Sequence, residues 1–172
     1  MSKKIVVTGG IGYIGTELCK IYSGISWNNE ILVIDNRFVS ERVNQLRNWG
    51  IDFVHGDILD KELVNKFCKD ADIVHHLAGI TDVPRVKSES NDEKDTKIKL
   101  VAEKGTQNIL DAISDKCKII FPSTHVVYEG IEKVKNDILE DEDTKPILSY
   151  ASSKSTNEKQ LKNSGKNYII LR

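Results

Sequence analysis

Residues 8–15 of this chain of 172 residues read TGGIGYIG, and this segment is the strongest single indication of the fold. It directly follows a short β-rich apolar run at 5–7, and it opens an amphipathic segment near residues 13–23. Its glycines have the spacing G-x-x-G-x-x-G, which joins a strand to a helix through a tight turn. Such a turn directs backbone amides and the positive end of the helix toward an anion such as a phosphate group. The alternative is a glycine-rich turn without a ligand.

Short apolar runs alternate with helical patterns along the rest of the chain. This alternation is typical of βαβ units, and it predicts a parallel sheet with helices on both faces. We therefore predict an α/β fold of three layers, the doubly wound Rossmann fold, as one domain over residues 1–172 with strand order 3-2-1-4-5-6. The predicted strands are 5–7, 31–34, 52–54, 73–77, 118–121 and 168–171, the predicted helices lie near 13–23, 41–48, 60–68, 94–114 and 150–163, and long loops are expected at 81–91 and 129–147.

Composition argues against several kinds of partner. The chain has 25 basic and 26 acidic side chains, a net charge of −1, so it lacks the basic surplus of a nucleic-acid-binding protein. No run approaches the ~20 apolar residues of a membrane span, and the first apolar run is too short for a signal peptide, so we expect a cytoplasmic protein. Cys19, Cys68 and Cys117 lack CxxC spacing, which indicates buried free thiols. Because His75 and His76 have no cysteine at ligand spacing, we expect no metal site.

An acidic residue stands where the ribose of a dinucleotide would need it. Asp35 ends the second predicted strand, 20 residues after Gly15, at the position of a carboxylate that accepts both ribose hydroxyls. Because a carboxylate repels a 2′-phosphate, NAD is favoured over NADP, although the nearby Arg37 keeps NADP as an alternative. Asp57 follows the third strand, where it either reaches the adenine amino group or caps the helix that starts near Asp60.

A phenol and an ammonium share one face of the last predicted helix. Tyr150 and Lys154 stand at i and i+4, and Thr124 follows the fifth predicted strand. A free phenol has a pKa of ~10, too high for a base near neutral pH, but the charge of Lys154 together with a positive nicotinamide ring would favour the phenolate. We predict that Tyr150 removes a hydroxyl proton while hydride leaves the same carbon, and that Thr124 hydrogen-bonds the oxygen. The alternative is a surface tyrosine and lysine on an amphipathic helix.

Together these motifs resemble the extended short-chain dehydrogenase/reductases, in particular the NAD-dependent epimerase/dehydratase family. The resemblance implies an NAD cofactor and a nucleotide-sugar substrate linked to UDP or dTDP. It also implies a homodimer formed through the helices near 94–114 and 150–163. The matching pieces follow the family's order along the whole chain: TGGIGYIG at 8–15, Asp35-Asn36, Gly56-Asp57, His76 to Gly79, Gly105 to Asn108, Ser123-Thr124 with Val127-Tyr128, Tyr150 with Lys154, and Ile169 to Arg172.

The resemblance assigns roles around the cofactor. Asp57 and Ile58 are expected to touch adenine, residues 77–79 to line the pyrophosphate and ribose, and Ser123 to contact the nicotinamide side. The implied catalytic set is Thr124, Tyr150 and Lys154. The implied cofactor-binding set is Gly9, Gly12, Tyr13, Ile14, Gly15, Asp35, Asn36, Asp57, Ile58, Leu77, Ala78, Gly79, Ser123, Tyr150 and Lys154.

Three departures from the family pattern narrow the prediction. His125 and Val126 stand where the dehydratases have Asp and Glu, which argues against loss of water; His125 is either a substrate contact or a structural loop residue. Ala102 stands where the family usually has an asparagine, three residues before the Gly-Thr of the long helix, and Glu129 is inserted where Tyr-Gly is usual. The resemblance also implies a protein of about twice this length, with the sugar-nucleotide pocket in a C-terminal part beyond Arg172. We therefore expect either a fragment of a longer protein or a truncated product.

The leading hypothesis is an NAD-dependent sugar-nucleotide epimerase or oxidoreductase that acts at a secondary alcohol. Two alternatives stay open. The first is a keto-sugar reductase of the same fold, and the second is a non-catalytic NAD-binding module.

Overall fold

The structure, a computed structural model, describes residues 2–25, 28–81, 92–132 and 135–172. Strands and helices alternate along the chain in the predicted order. The strands are β1 (Lys4–Thr8), β2 (Glu30–Asp35), β3 (Asp52–His55), β4 (Ile73–His76), β5 (Lys118–Pro122) and β6 (Asn167–Leu171), and the helices are α1 (Tyr13–Gly24), α2 (Ser40–Asn48), α3 (Lys61–Cys68), α4 (Asp92–Ala112) and α5 (Ser149–Asn163).

The six strands form one parallel sheet in the order β3-β2-β1-β4-β5-β6. This is the predicted order of a doubly wound fold, so the predicted fold class is confirmed. The order of strands switches sides at β1, because β2 lies next to β1 on one side and β4 lies next to it on the other. In open α/β sheets this switch point creates the crevice, at the carboxyl ends of the strands, where ligands bind.

Alternate residues of the central strands feed two separate cores. Val6 of β1 packs on one face with residues of α3, α4 and α5, among them Val64, Ile109 and Leu161. Ile5 and Val7 face the opposite side, where buried residues of α1 and α2 cover them. Because both faces are covered, the central strands carry continuous apolar runs rather than an alternating pattern.

The observed ends of the elements lie within two residues of the predicted ends. The predicted loop at 81–91 falls almost wholly outside the described residues. The described parts of the predicted loop at 129–147 contain no strand or regular helix, and a short 3-10 helix (His125–Tyr128) precedes it. Cys19, Cys68 and Cys117 are free and buried, as expected. In the described ranges, we find no helix with the length and apolar character that crossing a membrane requires.

Candidate active site

The glycine turn between β1 and α1 adopts the conformation that its sequence predicts. Gly9 has a φ of +71°, and a Cβ at this residue would lie 2.7 Å from the backbone nitrogen of Ala78. A Cβ at Gly15 would lie 2.6 Å from the Cα of Gly10, so a side chain there would separate helix and turn. The turn is closed by the Gly12 amide, which donates to the Gly9 carbonyl at 3.0 Å. Close backbone packing therefore requires glycine at both positions.

The N-terminus of α1 is open to a ligand. Gly12 is the N-cap and offers no side chain, and no acidic residue lies in the first turn. Tyr13 and Ile14 are 81% and 62% exposed, so both stand clear of the core beside this helix end. A helix N-terminus without a protein cap retains its partial positive charge and its donor N–H groups for an anion.

Asp35 lies at the end of β2 and is 5% exposed. One carboxylate oxygen accepts the Ile11 amide of the glycine turn at 3.2 Å. The other accepts the Arg37 amide at 3.0 Å and the Arg37 Nε at 3.4 Å. The Arg42 guanidinium also donates to the Ile11 carbonyl. Asp35 is thus fixed beside the glycine turn, as the ribose prediction requires, and an arginine shares its carboxylate.

Asn36 and Asp57 lie next to each other beyond the ends of β2 and β3. The Asn36 side-chain amide donates to Asp57 at 3.0 Å, and the Leu59 amide donates to the other carboxylate oxygen at 2.9 Å. Asp57 does not cap α3, so that alternative is wrong. Asp60 does so instead, because its carboxylate accepts the Leu63 amide.

Ile58 is buried and packs against α4. A Cβ at Gly105 would lie 2.3 Å from the Ile58 Cδ1, which shows how closely the two approach. Asn108 donates its side-chain amide to the Ile58 carbonyl at 2.9 Å. The side chain is 5% exposed and belongs to the core, so contact with adenine stays a prediction for this residue.

A buried histidine joins β1, β4 and α4 beneath the glycine turn. His76 Nδ1 lies 2.9 Å from the Thr8 hydroxyl, and Nε2 lies 3.0 Å from the Thr106 hydroxyl. Burial, with a smaller contribution from the charge of Lys154, lowers the pKa of His76 to about 3. The imidazole is therefore neutral at physiological pH, and one ring nitrogen can accept while the other donates.

The segment after β4 lies against the glycine turn. The Leu77 amide donates to the Thr8 carbonyl at 3.0 Å, and the Ala78 amide donates to the Thr8 hydroxyl at 3.3 Å. Gly79 is exposed, and a Cβ there would meet nothing within 4 Å. The backbone at 77–79 therefore borders the crevice in which the pyrophosphate and ribose are predicted to lie.

Tyr150 and Lys154 stand on α5 near the end of β5. The Lys154 ammonium donates to the Pro122 carbonyl at 2.9 Å and lies 4.5 Å from the centroid of the Phe121 ring. It lies 5.9 Å from the centroid of the Tyr150 ring. Both side chains thus lie on one face of α5, as their spacing predicts.

The pKa values of this pair depend mainly on burial. Burial lowers the pKa of Lys154 to about 8 and raises the pKa of Tyr150 above its ordinary value. In the protein alone, the pKa of the phenol lies above its ordinary value because burial disfavours the phenolate, and the predicted lowering by Lys154 together with a nicotinamide ring stays a prediction.

Thr124 is the second residue after β5, at the same edge of the sheet. Its hydroxyl accepts the Val126 amide at 3.3 Å and so caps the short 3-10 helix. His125 is exposed.

Ala102 stands where the family has asparagine. The Asn157 side-chain amide donates to the backbone carbonyl of Ala102 at 2.9 Å. Asn157 thus supplies a polar contact between α4 and α5 from the opposite helix.

Ser123 is held by a buried ion pair that the sequence analysis missed. Its hydroxyl donates to Glu158 at 2.5 Å, and Arg172 donates to both oxygens of the same carboxylate at 3.0 and 2.5 Å. The spacing in the sequence could have indicated that Glu158 lies near the site. Glu158 lies four residues after Lys154 and eight after Tyr150, so the three side chains share one face of the helix. In the ranges that the structure describes, no group of acidic, histidine or cysteine side chains has the arrangement of a metal site.

The carboxyl edge of the sheet thus combines a glycine turn, an acidic residue after β2, and a tyrosine–lysine pair beside β5. The sequence profile of the 3-beta hydroxysteroid dehydrogenase/isomerase family matches residues 6–169. The chain belongs to this family. The relatives of the chain include UDP-glucose 4-epimerases and a dTDP-D-glucose 4,6-dehydratase, and solved epimerases similar to it hold NAD, so the predicted resemblance is confirmed.

Several proteins similar to this chain are sugar-nucleotide epimerases. A UDP-glucose 4-epimerase of Azospirillum brasilense is 30% identical over 172 residues, which are 95% of this chain and 45% of the relative. A UDP-N-acetylglucosamine 4-epimerase of Methanobrevibacter ruminantium M1, solved with UDP-N-acetylmuramic acid, superposes with a TM-score of 0.81 at 27% identity, covering 99% of this chain and 54% of that one. The UDP-glucose 4-epimerase of Brucella ovis, solved in complex with NAD, superposes with a TM-score of 0.78 at 29% identity, covering 99% of this chain and 51% of that one. The chain therefore spans about half the length of these proteins.

Proposed function

We propose that this chain binds NAD and carries the catalytic groups of a sugar-nucleotide epimerase that acts at a secondary alcohol. One observation carries the proposal: Tyr150 and Lys154 share a face of α5 at the edge of the sheet where β1 meets the glycine turn. A dinucleotide laid across the switch point from Asp35 toward β5 would bring its reactive ring to this pair.

The described residues fit the chemistry of NAD. The uncapped N-terminus of α1, reached through Gly12, offers N–H donors and a positive dipole to a pyrophosphate. Asp35 offers carboxylate oxygens to ribose hydroxyls, and it disfavours a 2′-phosphate by charge repulsion. Arg37 donates both its amide and its Nε to one oxygen of this carboxylate, so we expect Arg37 to release that oxygen when the ribose binds.

Each catalytic group would have a separate task. When bound, NAD supplies a reversible hydride acceptor. Tyr150 would remove the proton of the sugar hydroxyl, and Thr124 would donate a hydrogen bond to that oxygen. Lys154, close to the phenol ring, would favour the phenolate and hold the nicotinamide ribose. Because burial alone raises the pKa of Tyr150, the phenol needs this positive charge to act as a base near neutral pH.

The relatives favour epimerisation of a UDP- or dTDP-linked sugar. Several of them are UDP-sugar 4-epimerases, and the chain lacks the Asp and Glu expected of dehydratases next to Thr124. An epimerase returns the hydride to the opposite face of the keto-sugar, so the cofactor is recycled. A homodimer through α4 and α5, and residence in the cytoplasm, are part of the same proposal.

The test is turnover of UDP- and dTDP-sugars by the product of the longest open reading frame that contains this sequence. We expect the wild type to interconvert a sugar pair without net use of added cofactor, and Tyr150→Phe to lose at least about 10²-fold in kcat, the usual contribution of a general base. Tyr168→Phe, on exposed β6, is the matched control and should stay at the wild-type rate. Undiminished turnover in Tyr150→Phe would refute the assignment of the base.

Two other outcomes distinguish the alternatives. Net oxidation of added NADH with a 4-keto sugar would indicate a reductase of the same fold. Binding of NAD to the 172-residue chain without turnover of any sugar nucleotide by the longer product would indicate a non-catalytic module.

A further inference from the structure

Glu129 connects the loop after β5 to the start of α5. One of its carboxylate oxygens accepts the Ile147 amide at 2.5 Å and the Leu148 amide at 2.6 Å. The partners lie 18 and 19 residues away in sequence, so this is a tertiary contact rather than a local turn. Glu129 itself is partly buried.

The carboxylate acts where α5 has no cap of its own. Leu148 is the N-cap residue of α5, and its apolar side chain makes no cap hydrogen bond. Helices usually obtain this bond from Ser, Thr, Asp or Asn at that position. Glu129 accepts the amides just before the first turn, and its carboxylate places negative charge near the N-terminal dipole together with Asp95, which accepts the Ser149 hydroxyl at 2.6 Å.

Two backbone hydrogen bonds hold the same segments together. The Gly130 amide donates to the Lys145 carbonyl at 2.8 Å, and the Lys145 amide donates to the Val127 carbonyl at 2.8 Å. A Cβ at Gly130 would lie 2.5 Å from the Lys145 oxygen, so the close approach depends on glycine there. The carboxylate of Glu129 therefore works within a defined pairing of the two segments.

The contact joins the two halves of the proposed catalytic set. Glu129 lies five residues after Thr124, directly after the 3-10 helix that Thr124 caps. The amides that it accepts belong to residues two and three positions before Tyr150. We propose that Glu129 is a positioning residue that fixes the start of α5, and with it Tyr150, relative to Thr124.

This inference rests on the proposed function, in which Tyr150 and Thr124 meet the same substrate oxygen. A displacement of about 1 Å between catalytic groups can cost about 10²-fold in rate. Glu129→Ala removes the acceptor and should approach that loss in kcat, while Glu129→Gln keeps one acceptor oxygen and should recover most of the rate. Because Glu129 is not part of the glycine turn or the Asp35 site, KM and the affinity for NAD should change little.

The positioning of the start of α5 by Glu129 can be tested by NMR on the 172-residue chain, without measuring turnover. In the wild type we expect the Ile147 and Leu148 amides to exchange slowly with solvent. In Glu129→Ala they should exchange at least about tenfold faster, with shifted resonances for the Thr124 methyl and the Tyr150 ring; Glu129→Gln should lie close to the wild type. Glu132→Ala, an exposed glutamate of the same loop, is the matched control and should leave all these signals unchanged.

The outcomes separate the two proposals. Unchanged amide exchange and unchanged Tyr150 and Thr124 resonances in Glu129→Ala would overturn the positioning role, whatever the turnover. A kcat no lower in Glu129→Ala than in Glu132→Ala would also overturn it. Shifted resonances in a longer protein that turns over no sugar nucleotide would support the positioning role while rejecting the epimerase proposal.

Discussion

Glu158 on α5 and Arg172, the residue after β6, form a bidentate ion pair whose side chains are 2% and 10% exposed. Arg172 Nε and one terminal nitrogen reach the two carboxylate oxygens at 3.0 and 2.5 Å. Glu158 also accepts the Ser123 hydroxyl, so the pair connects the carboxyl ends of β5 and β6 to the face of α5 that carries Lys154. Burial by itself raises the pKa of Glu158, but the hydrogen bonds from Arg172 and Ser123 outweigh it and hold the pKa below its ordinary value.

Breaking this pair from one side should destabilise the protein strongly. Glu158→Gln leaves the buried Arg172 without a countercharge, so we expect a loss of about 3–5 kcal/mol in the free energy of unfolding, measured by urea denaturation. Lys162→Ala is the control, since its ammonium is half exposed and 3.9 Å from Glu158; it should cost less than about 1 kcal/mol. Equal effects of the two substitutions would contradict a dominant Glu158–Arg172 pair.

Gly9→Ala should cost more than the same change at another glycine with a similar backbone. Gly9 and Gly165 have φ values of +71° and +70°, so alanine at either pays about 1–2 kcal/mol for a left-handed conformation. Only Gly9 adds a clash, since its Cβ would lie 2.7 Å from the Ala78 nitrogen, whereas the space around Gly165 is open. Denaturation of both variants checks this, and a Gly165→Ala loss as large as that of Gly9→Ala would contradict it.

The buried His76 should make the protein sensitive to mild acid. Its folded pKa of about 3 lies below the ~6.5 of an unfolded histidine, so between these values the unfolded chain binds the extra proton. Stability is therefore complete above pH ~6.5 and falls as the pH decreases toward 3, by about 1.4 kcal/mol per pH unit for one proton. His76→Gln should show a shallower decline in urea titrations between pH 7.5 and 4. An identical slope in both proteins would show that His76 does not carry this dependence.

The three thiols should be unreactive while the chain is folded. Burial raises the pKa of Cys19 and Cys68 to about 12 and that of Cys117 to about 11. Because the thiolate is the reactive form, a chromogenic thiol reagent at pH 8 should modify none of them in the native protein and all of them in urea. Rapid modification of any one under native conditions would contradict its burial.

The repeating architecture was predictable because local patterns determine it. Apolar runs such as that of β2 are buried on both faces, and the glycine turn at 8–15 requires its backbone conformation locally. The predicted ends were off by one or two residues because helix caps depend on geometry. Asp60, not Asp57, caps α3. Because both positions carry aspartate, the sequence alone does not reveal which of the two is the cap.

The long-range contacts of the candidate site were not predictable in the same way. Glu129 reaches amides 18 and 19 residues away, and Glu158 meets Ser123 across 35 positions and Arg172 across 14. Such partners are set by the packing of α5 on the sheet, which no local pattern encodes. The burial of Tyr150, which raises the pKa of its phenol, depends on the same packing of α5 and was not predictable from a local pattern either.

Binding of NAD at the crevice beside the glycine turn can be measured by calorimetric titration of the 172-residue chain, repeated with Asp35→Ala and with Tyr168→Phe as the control. We predict binding of one NAD per chain, an affinity that falls at least about tenfold in Asp35→Ala through loss of the ribose contact, and an unchanged affinity in the control. An absence of binding to the folded wild-type chain, or an affinity that Asp35→Ala leaves intact, would contradict the proposal that the crevice beside the glycine turn holds this cofactor.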